Sequence, residues 1–576
     1  MALIDKASLL MVPSTYEAGT LYNVLPSGNR APDSTDQNSG YDQTRADFDF
    51  DRGSNAAATR IGSDGLIKKY RENLLTYSND FSNGAWTKFN ASVTSGQSGY
   101  DGSSDAWLLN ITTSQNSSLY RSISMSGVYT TSIYAKANSV DYLGIRDYSL
   151  SGAGNWFNLS NGTIASTTSD CIDAKIESVG NGWYRCSITQ NRNATGYTQI
   201  GASDNPSTTS TTTGSIYIQS AQLETGLVAT DYLDSGATTA KAGVLIDLPR
   251  INYDANGENG ALLLEPQRAN LVPYSEYFGG YFNVTEINLS YNYAISPDGT
   301  LNANKVKFPS TSNSMYKSGL SYSGAHSISF WYKGEGSNVG KTFDVRLQGT
   351  SANQNIDVTL ESGWKRFEAQ SDGLQTFEIT NRSSTTIGAG SLLLYGFQIE
   401  AGSYATSYIP NHGTSSGVTR AADVCTGGGS AESINSTEGV LYAEISALAD
   451  DFANYKFISL YDGTFDNFCD IYFGDASNRI SVRVRSGGGS IINMFFAVSD
   501  VKAFHKVAIS WKSNEFKFFV NGVSKGLNTS GAVPTGLNTL DFHQPSNGNP
   551  FYGNVKQVAV FNEALSDSEL ATLTTL

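Results

Sequence analysis

The chain has 576 residues, a formal net charge of −15, 57 glycines, 32 tyrosines and only 16% charged residues. Such acidity excludes nucleic acid as a partner, because phosphate binding requires basic patches. No segment approaches the roughly 18 apolar residues of a membrane span, and four cysteines are too few for a disulfide framework.

Beta-branched and aromatic residues separated by Gly, Ser and Asn turns predict many short antiparallel strands. Met1–Val12 carries an apolar run broken by Asp5 and Lys6, which does not make a signal peptide. Residues 1–70 are expected to form a separate, partly irregular arm with an acidic stretch from Asp33 to Asp51. Within it, Asp47-Phe48-Asp49-Phe50-Asp51 alternates as a short strand with one aromatic face.

A repeat follows. Asn73-Leu74-Leu75-Thr76-Tyr77-Ser78 returns 197 residues later as Asn270-Leu271-Val272-Pro273-Tyr274-Ser275. The same offset carries Asp101-Gly102 onto Asp298-Gly299 and Ile133-Tyr134-Ala135-Lys136 onto Phe330-Trp331-Tyr332-Lys333. Gln222-Leu223-Glu224 and Gln398-Ile399-Glu400 close the two copies. A duplicated module sets the architecture: 71–235 and 269–411 are the two copies, and 236–268 a β-hairpin-like connector. Cys171 and Cys186 fall in the first copy without counterparts in the second, so free, buried thiols are expected. Residues 412–437, with Gly427-Gly428-Gly429-Ser430, read as a hinge. A different β-domain occupies 438–576: His505–Trp511 and Phe516–Val520 form a hairpin, and Asn521-Gly522 a second tight turn. At the C-terminus Ser566 and Glu569 make a capping box, with Leu565 and Leu570 as a hydrophobic staple.

Several of these segments resemble known families. Tyr77-Ser78-Asn79-Asp80-Phe81 with Trp86-Thr87-Lys88, Pro297-Asp298-Gly299-Thr300, Gly182-Trp183-Tyr184-Arg185 and the run Gln398–Pro410 resemble carbohydrate-binding jelly-roll domains that recur in phage virion proteins. Ala58-Thr59-Arg60 and Leu264-Glu265-Pro266-Gln267-Arg268 belong to the same resemblance. His505–Trp511, Val520-Asn521-Gly522 and Val560-Phe561-Asn562-Glu563 resemble the concanavalin A-like, laminin-G-like sandwich. The expected fold is therefore all-β: tandem antiparallel β-sandwiches, two jelly rolls plus one concanavalin A-like sandwich, with an irregular N-terminal arm. These families imply a virion or cell-surface protein that recognises glycans.

A glycoside hydrolase needs two flanking carboxylates. The Glu-x-Asp-x-x-Glu strand of the glucanase branch is absent, as are a nucleophile elbow, a phosphate-cradling loop and zinc spacing among the four histidines. No catalytic residue and no cofactor are expected. Asp462, Asp466 and Asp470 are spaced by four and are the candidate ligands for a weakly held Ca²⁺. Glycan binding asks for aromatic faces with amides and carboxylates in loops. Trp156, beside Gly154-Asn155, is one candidate; Tyr461 with Asp462, and His543, Gln544, Asn547, Asn549 and Tyr552, are the others. Trp86, Trp183, Trp364 and Trp511 are assigned to packing.

The sequence thus points to a non-enzymatic phage virion protein made in the host cytoplasm, a tail fibre or adhesin binding host-surface glycans. Its arm would dock on other virion proteins, and a homo-oligomer is expected, although no heptad run argues for a trimer. The alternatives are a capsid decoration, head fibre or tail-associated spacer without its own ligand and, third, a polysaccharide hydrolase.

Overall fold

The computed structural model describes residues 3–15, 48–53, 57–112, 117–147, 154–192, 195–206, 213–246, 248–382, 385–452, 454–546 and 548–576. Strands dominate throughout, and one α-helix occurs among the described residues. The chain divides into two compact units, Lys69–Gly243 with Ala269–Thr419, and residues up to Lys68 with Val244–Arg268 and Arg420–Leu576.

The first of these holds both repeats. In the first copy two six-stranded antiparallel sheets pack face to face; one runs 171–180, 183–192, 127–137, 214–225, 106–111 and 91–97, the other 163–166, 155–158, 142–147, 195–203, 118–124 and 87–89. Alternate residues such as Ile133 and Ala135, Leu143 and Ile145, and Ile216 and Ile218 point inward and make one core. The second copy has the same plan with five and four strands; Phe343, Val345 and Leu347 alternate inward, and Phe330 stacks on Phe397 with ring centroids 4.7 Å apart. The duplication extends to irregularities. Both copies shift register at the same place in the last long strand, with positive φ at Ser220 (55°) and Gly396 (66°). At Gly396 a Cβ would come within 3.1 Å of the Trp331 ring, which adds a packing reason for glycine there. Polar networks repeat as well: Glu224 accepts from Gln222 and Thr230, as Glu400 accepts from Gln398 and Thr406. The copies touch through Asn292, whose amide donates to Asp173 at 2.7 Å and to the Leu227 carbonyl at 3.1 Å.

In the other unit a five-stranded sheet (489–497, 479–486, 468–473, 456–461, 539–541) faces a larger one built from 251–252, 261–264, 553–561, 438–447, 505–512, 515–520 and 523–528, with 9–11 also paired to 553–561. Val507, Ile509 and Trp511 all enter the core, and the hairpin to Glu515–Val520 turns at Ser513-Asn514, with Asn514 at φ 61°. The helix Asp567–Thr574 carries both halves of the capping box.

Two expected segments are built differently. The described residues of the N-terminal arm up to Lys68 belong to this unit: Leu9, Met11, Phe48 and Phe50 lie in its core, and Asp49–Asp51 pairs with Val424–Thr426. The acidic stretch from Asp33 to Asp47 lies outside the described residues. In the 236–268 connector Ile251–Asn252 pairs antiparallel with Ala261–Leu264, and the latter strand also joins the large sheet. The 412–437 segment is tied down rather than hinge-like: Gly428 exchanges both backbone hydrogen bonds with Leu540. A Cβ at Gly428 would stand 2.3 Å from the Phe48 ring, so this glycine serves close packing. All four cysteines are free thiols; Cys171 is half-buried and the others buried.

Candidate functional site

A cleft of about 350 Å³ opens in the C-terminal unit, lined by Leu264, Asp423–Thr426, Phe542, His543 and Pro550–Tyr552. Its floor is core: Leu264, Phe542 and Phe551 also belong to the sandwich interior, with the two phenylalanine rings 6.0 Å apart.

The segment Thr539-Leu540-Asp541-Phe542-His543 positions the polar wall. Leu540 and Phe542 turn into the core, which leaves Asp541 and His543 on the other side. Asp541 accepts from the Tyr461 hydroxyl at 2.5 Å, the Gly427 N–H at 2.5 Å and His543 Nε2 at 3.3 Å. His543 Nδ1 lies 2.7 Å from the Gln544 carbonyl. An imidazole facing a carboxylate on one nitrogen and a carbonyl on the other can donate from both only when protonated, so these two partners favour the imidazolium. Burial would lower the His543 pKa, but the hydrogen bond and charge of Asp541 outweigh it and the pKa is raised. Burial would likewise raise Asp541; its bonds from His543, Tyr461 and Gly427 outweigh that and hold it below its ordinary value.

Asp423 is engaged on its other side by a buried ion cluster. It accepts from Arg250 Nε at 3.0 Å, Arg52 Nη1 at 3.3 Å and the Glu265 N–H at 2.9 Å, while Glu265 pairs with Arg250 at 2.8 Å and Arg420 at 2.9 Å. This cluster joins the strand-forming segments around 52, 264 and 424 beneath the cleft. Burial, then the charges of Asp541 and Asp49, push the Cys425 thiol well up, so it stays a neutral thiol and a poor nucleophile. The arrangement offers the half-buried rings of His543 and Tyr552 and the hydroxyls of Thr426 and Tyr552. Both carboxylates in or beside the cleft are bonded to partners within the protein.

Of the sequence candidates, His543 and Tyr552 line the cleft and Tyr461 reaches the same carboxylate from behind, its ring 6.2 Å from His543. Gln544 and Asn549 brace the loop through an Asn549 Nδ2 to Gln544 Oε1 bond of 2.7 Å. Asn547 lies outside the described residues. Trp156 is not a loop residue: it sits in the strand Asn155–Asn158, 4% exposed, with its indole so close over Gly144 that a Cβ there would be 2.7 Å away. Trp86, Trp183 and Trp511 are buried as expected, whereas Trp364 is half-exposed and donates to the Ile295 carbonyl at 3.1 Å.

The Ca²⁺ candidates do not converge. Asp470 is buried in the strand Phe468–Phe473 and paired with Arg483. Asp462 closes a turn, accepting from Thr464 and Asn467. Asp466 is exposed. Among the described residues no group of three or more His, Cys, Asp or Glu could hold a metal ion. Sequence reasoning missed Asp541, Thr426 and Phe551; the alternation Thr539, Asp541, His543 was the available signal.

Residues 449–571 match the model of the concanavalin A-like lectin/glucanases superfamily. Similar solved structures include the CBM40 domain of a Ruminococcus gnavus IT-sialidase bound to α2,3-sialyllactose, 20% identical, covering 24% of this chain and 84% of that one, with a TM-score of 0.22. A leech intramolecular trans-sialidase is also 20% identical, over 25% of this chain and 24% of that one, TM-score 0.22. A Limulus polyphemus SAP-like pentraxin is 13% identical over 24% and 69%, TM-score 0.20. Comparison with curated proteins gives no match. The C-terminal domain is thus a concanavalin A-like β-sandwich within an all-β chain.

Proposed function

We propose that this protein binds glycans through the cleft around His543 and Tyr552, as the adhesin of a phage virion appendage such as a tail fibre. The observation that carries the reading is the cleft itself: the half-buried rings of Tyr552 and His543 above an apolar floor, and a polar wall whose carboxylates are held by the protein. Its family match and the resemblance of the repeats to virion jelly rolls support the same reading. The protein docks on other virion proteins, lacks a catalytic role and acts as a homo-oligomer. Copies on one particle then raise avidity by about 10²–10⁴ over a weak single site.

Calorimetric titration of the full chain with fragments of bacterial surface polysaccharide tests this. Saturable binding, lost in Tyr552→Ala and unaccompanied by release of reducing ends, supports it; no binding to any envelope polysaccharide sinks it. Immunogold labelling of virions tests the location.

A spacer reading applies to the two jelly rolls. Trp156, the aromatic the sequence offered there as a ligand platform, is packed against Gly144, which favours modules that extend and connect.

A further inference from the structure

A long sheet edge of the C-terminal unit is left unguarded. Gly489–Ala497 closes one side of the five-stranded sheet and pairs with Arg479–Ser486. The Val498 N–H donates to the Asn478 carbonyl at 2.8 Å, which sets the alternation along this ladder. Ile492, Met494 and Phe496 therefore turn their backbone groups toward the neighbouring strand, whereas Asn493, Phe495 and Ala497 turn theirs outward. Among the described residues, nothing bonds the N–H or C=O of these three. At its start the edge is capped, by the Asn528 amide donating to the Ile491 carbonyl at 3.1 Å. Beyond that point the strand is open, and Phe495 is 57% exposed.

Sheets protect such edges with charge, proline or brevity, because unpaired backbone groups on an apolar strand take up another strand. Other edges of this chain follow the rule. The edge strand Lys365–Asp372 carries Lys365, Arg366, Glu368 and Asp372, and the edge strand Cys171–Gly180 carries Asp173, Lys175 and Glu177. Gly489–Ala497 has neither charge nor proline in nine residues, and five of them are Ile491, Ile492, Met494, Phe495 and Phe496.

We infer that this edge pairs with the same edge of a second copy of the chain, antiparallel about a two-fold axis at Phe495. In that register the outward groups of Asn493 meet those of the partner's Ala497, and Phe495 meets the partner's Phe495, as residues that exchange both hydrogen bonds. Met494 then stands opposite the partner's Phe496, a favourable sulfur–aromatic contact. Charge favours this edge over others. Two chains of net charge −15 repel one another over most of their surfaces, but this strand is neutral. Arg479, whose guanidinium lies 4.0 Å from the Phe495 ring centre, is compensated by Asp475 at 3.4 Å. Lys525, 3.8 Å from the Phe496 ring centre, adds a cation that suits an acidic partner. The pairing joins two five-stranded sheets into one of ten. The segment Thr539–Asp541 beside the cleft is the far edge of that sheet, so the two clefts stay open at opposite ends, and the dimer is bivalent.

Sedimentation velocity of the full chain tests this, with a dimer expected on the order of 10 µM. Phe495→Lys, which sets like charges on the axis, and Phe495→Pro, which removes an outward donor, should each weaken it about tenfold or more. The side chain is exposed and the N–H has no partner within the chain, so both variants should keep the wild-type melting temperature. Under mild oxidation Phe495→Cys should form a disulfide-linked dimer, because opposed residues of such a pair have Cα atoms about 5.5 Å apart. Ala497→Cys, four residues from its own symmetry mate, should not, and the wild type with its four native thiols is the blank. A chain monomeric at about 100 µM, an oligomer indifferent to both edge variants, or cross-linking through Ala497→Cys instead of Phe495→Cys overturns the inference. Polysaccharide binding by such a monomer would leave the cleft reading intact, and a dimer that binds no polysaccharide would leave the pairing intact.

Discussion

Asn73 and Asn270 make the same four hydrogen bonds. Asn73 Nδ2 donates to the carbonyls of Ala221 (3.1 Å) and Leu233 (2.9 Å), and its Oδ1 accepts from the N–H of Leu75 (3.1 Å) and Leu223 (3.2 Å). Asn270 repeats this with Phe397 (3.0 Å), Ile409 (2.8 Å), Val272 (3.0 Å) and Ile399 (3.3 Å). Each fully buried amide thereby ties the segment entering its module to the last long strand and to the segment leaving it. Replacing either by alanine strands four buried backbone groups. We expect a loss of about 2–4 kcal/mol at each site, read from urea denaturation midpoints, and of similar size in the two variants. A large effect at one site alone would show that the two networks are not energetically equivalent.

Lys69 Nζ lies 2.5 Å from Asp298 Oδ2 and 3.4 Å from Glu276 Oε1, and both carboxylates are buried, so Lys69→Met leaves them without their cation. Burial alone would lower the Lys69 pKa and raise those of the acids; their mutual charges outweigh it, so Lys69 is raised and both acids are lowered. Depressed carboxylates stabilise the fold above their ordinary pKa and lose that contribution as pH falls through the depressed values. The variant should therefore be less stable by about 3–5 kcal/mol at neutral pH, with the deficit shrinking in acid. Thermal unfolding across pH checks this, and a pH-independent deficit would contradict it.

His543, with its raised pKa, stabilises the C-terminal unit fully below the ordinary histidine value and loses that contribution as pH rises through the raised one. Asp541 is depressed and sets the acid limit of the same pair. In His543→Gln the decline of melting temperature on going from slightly acidic to alkaline pH should flatten. NMR titration of the imidazole in the wild type should give a pKa above the ordinary value.

Asp470 behaves in the opposite way to Asp541. Burial pushes its pKa up to about 6 despite the neighbouring Arg483. The folded state then holds a proton that the unfolded state releases near pH 4, so stability falls as pH rises from about 4 to 6. The total is on the order of 3 kcal/mol at most. Asp470→Asn should remove that slope, and an unchanged slope would exclude Asp470 as its source.

The repeat, the capped terminal helix, the His505–Trp511 hairpin and the Phe48/Phe50 face were legible because each is written in local spacing. The cleft was only half legible. His543 and Tyr552 stand in a loop-like stretch, but the opposite wall, Leu264 and Val424–Thr426, comes from segments more than a hundred residues away that only long-range strand pairing brings near. Trp156 misled because Gly154-Asn155 reads as a turn, while its strand partner Gly144 is bare enough to take the indole. The acids at 462, 466 and 470 misled because even spacing across the junction between a turn and a strand does not bring carboxylates together.

In the first copy Asn79 Nδ2 donates to Asp105 Oδ2 at 3.1 Å; at the matching positions of the second, Asn302 Nδ2 donates to Glu276 at 2.7 Å, and these exchanged ends bear on how the copies can evolve. A crossover between the two halves of the gene within that interval would join Glu276 to Asp105, setting two carboxylates face to face, or Asn79 to Asn302, pairing two amides. The first chimera is electrostatically mismatched, and the second exchanges a charge-assisted hydrogen bond for a neutral one. Recombination inside the module would therefore separate partners that match only within their own copy, whereas recombination at its borders would leave them together.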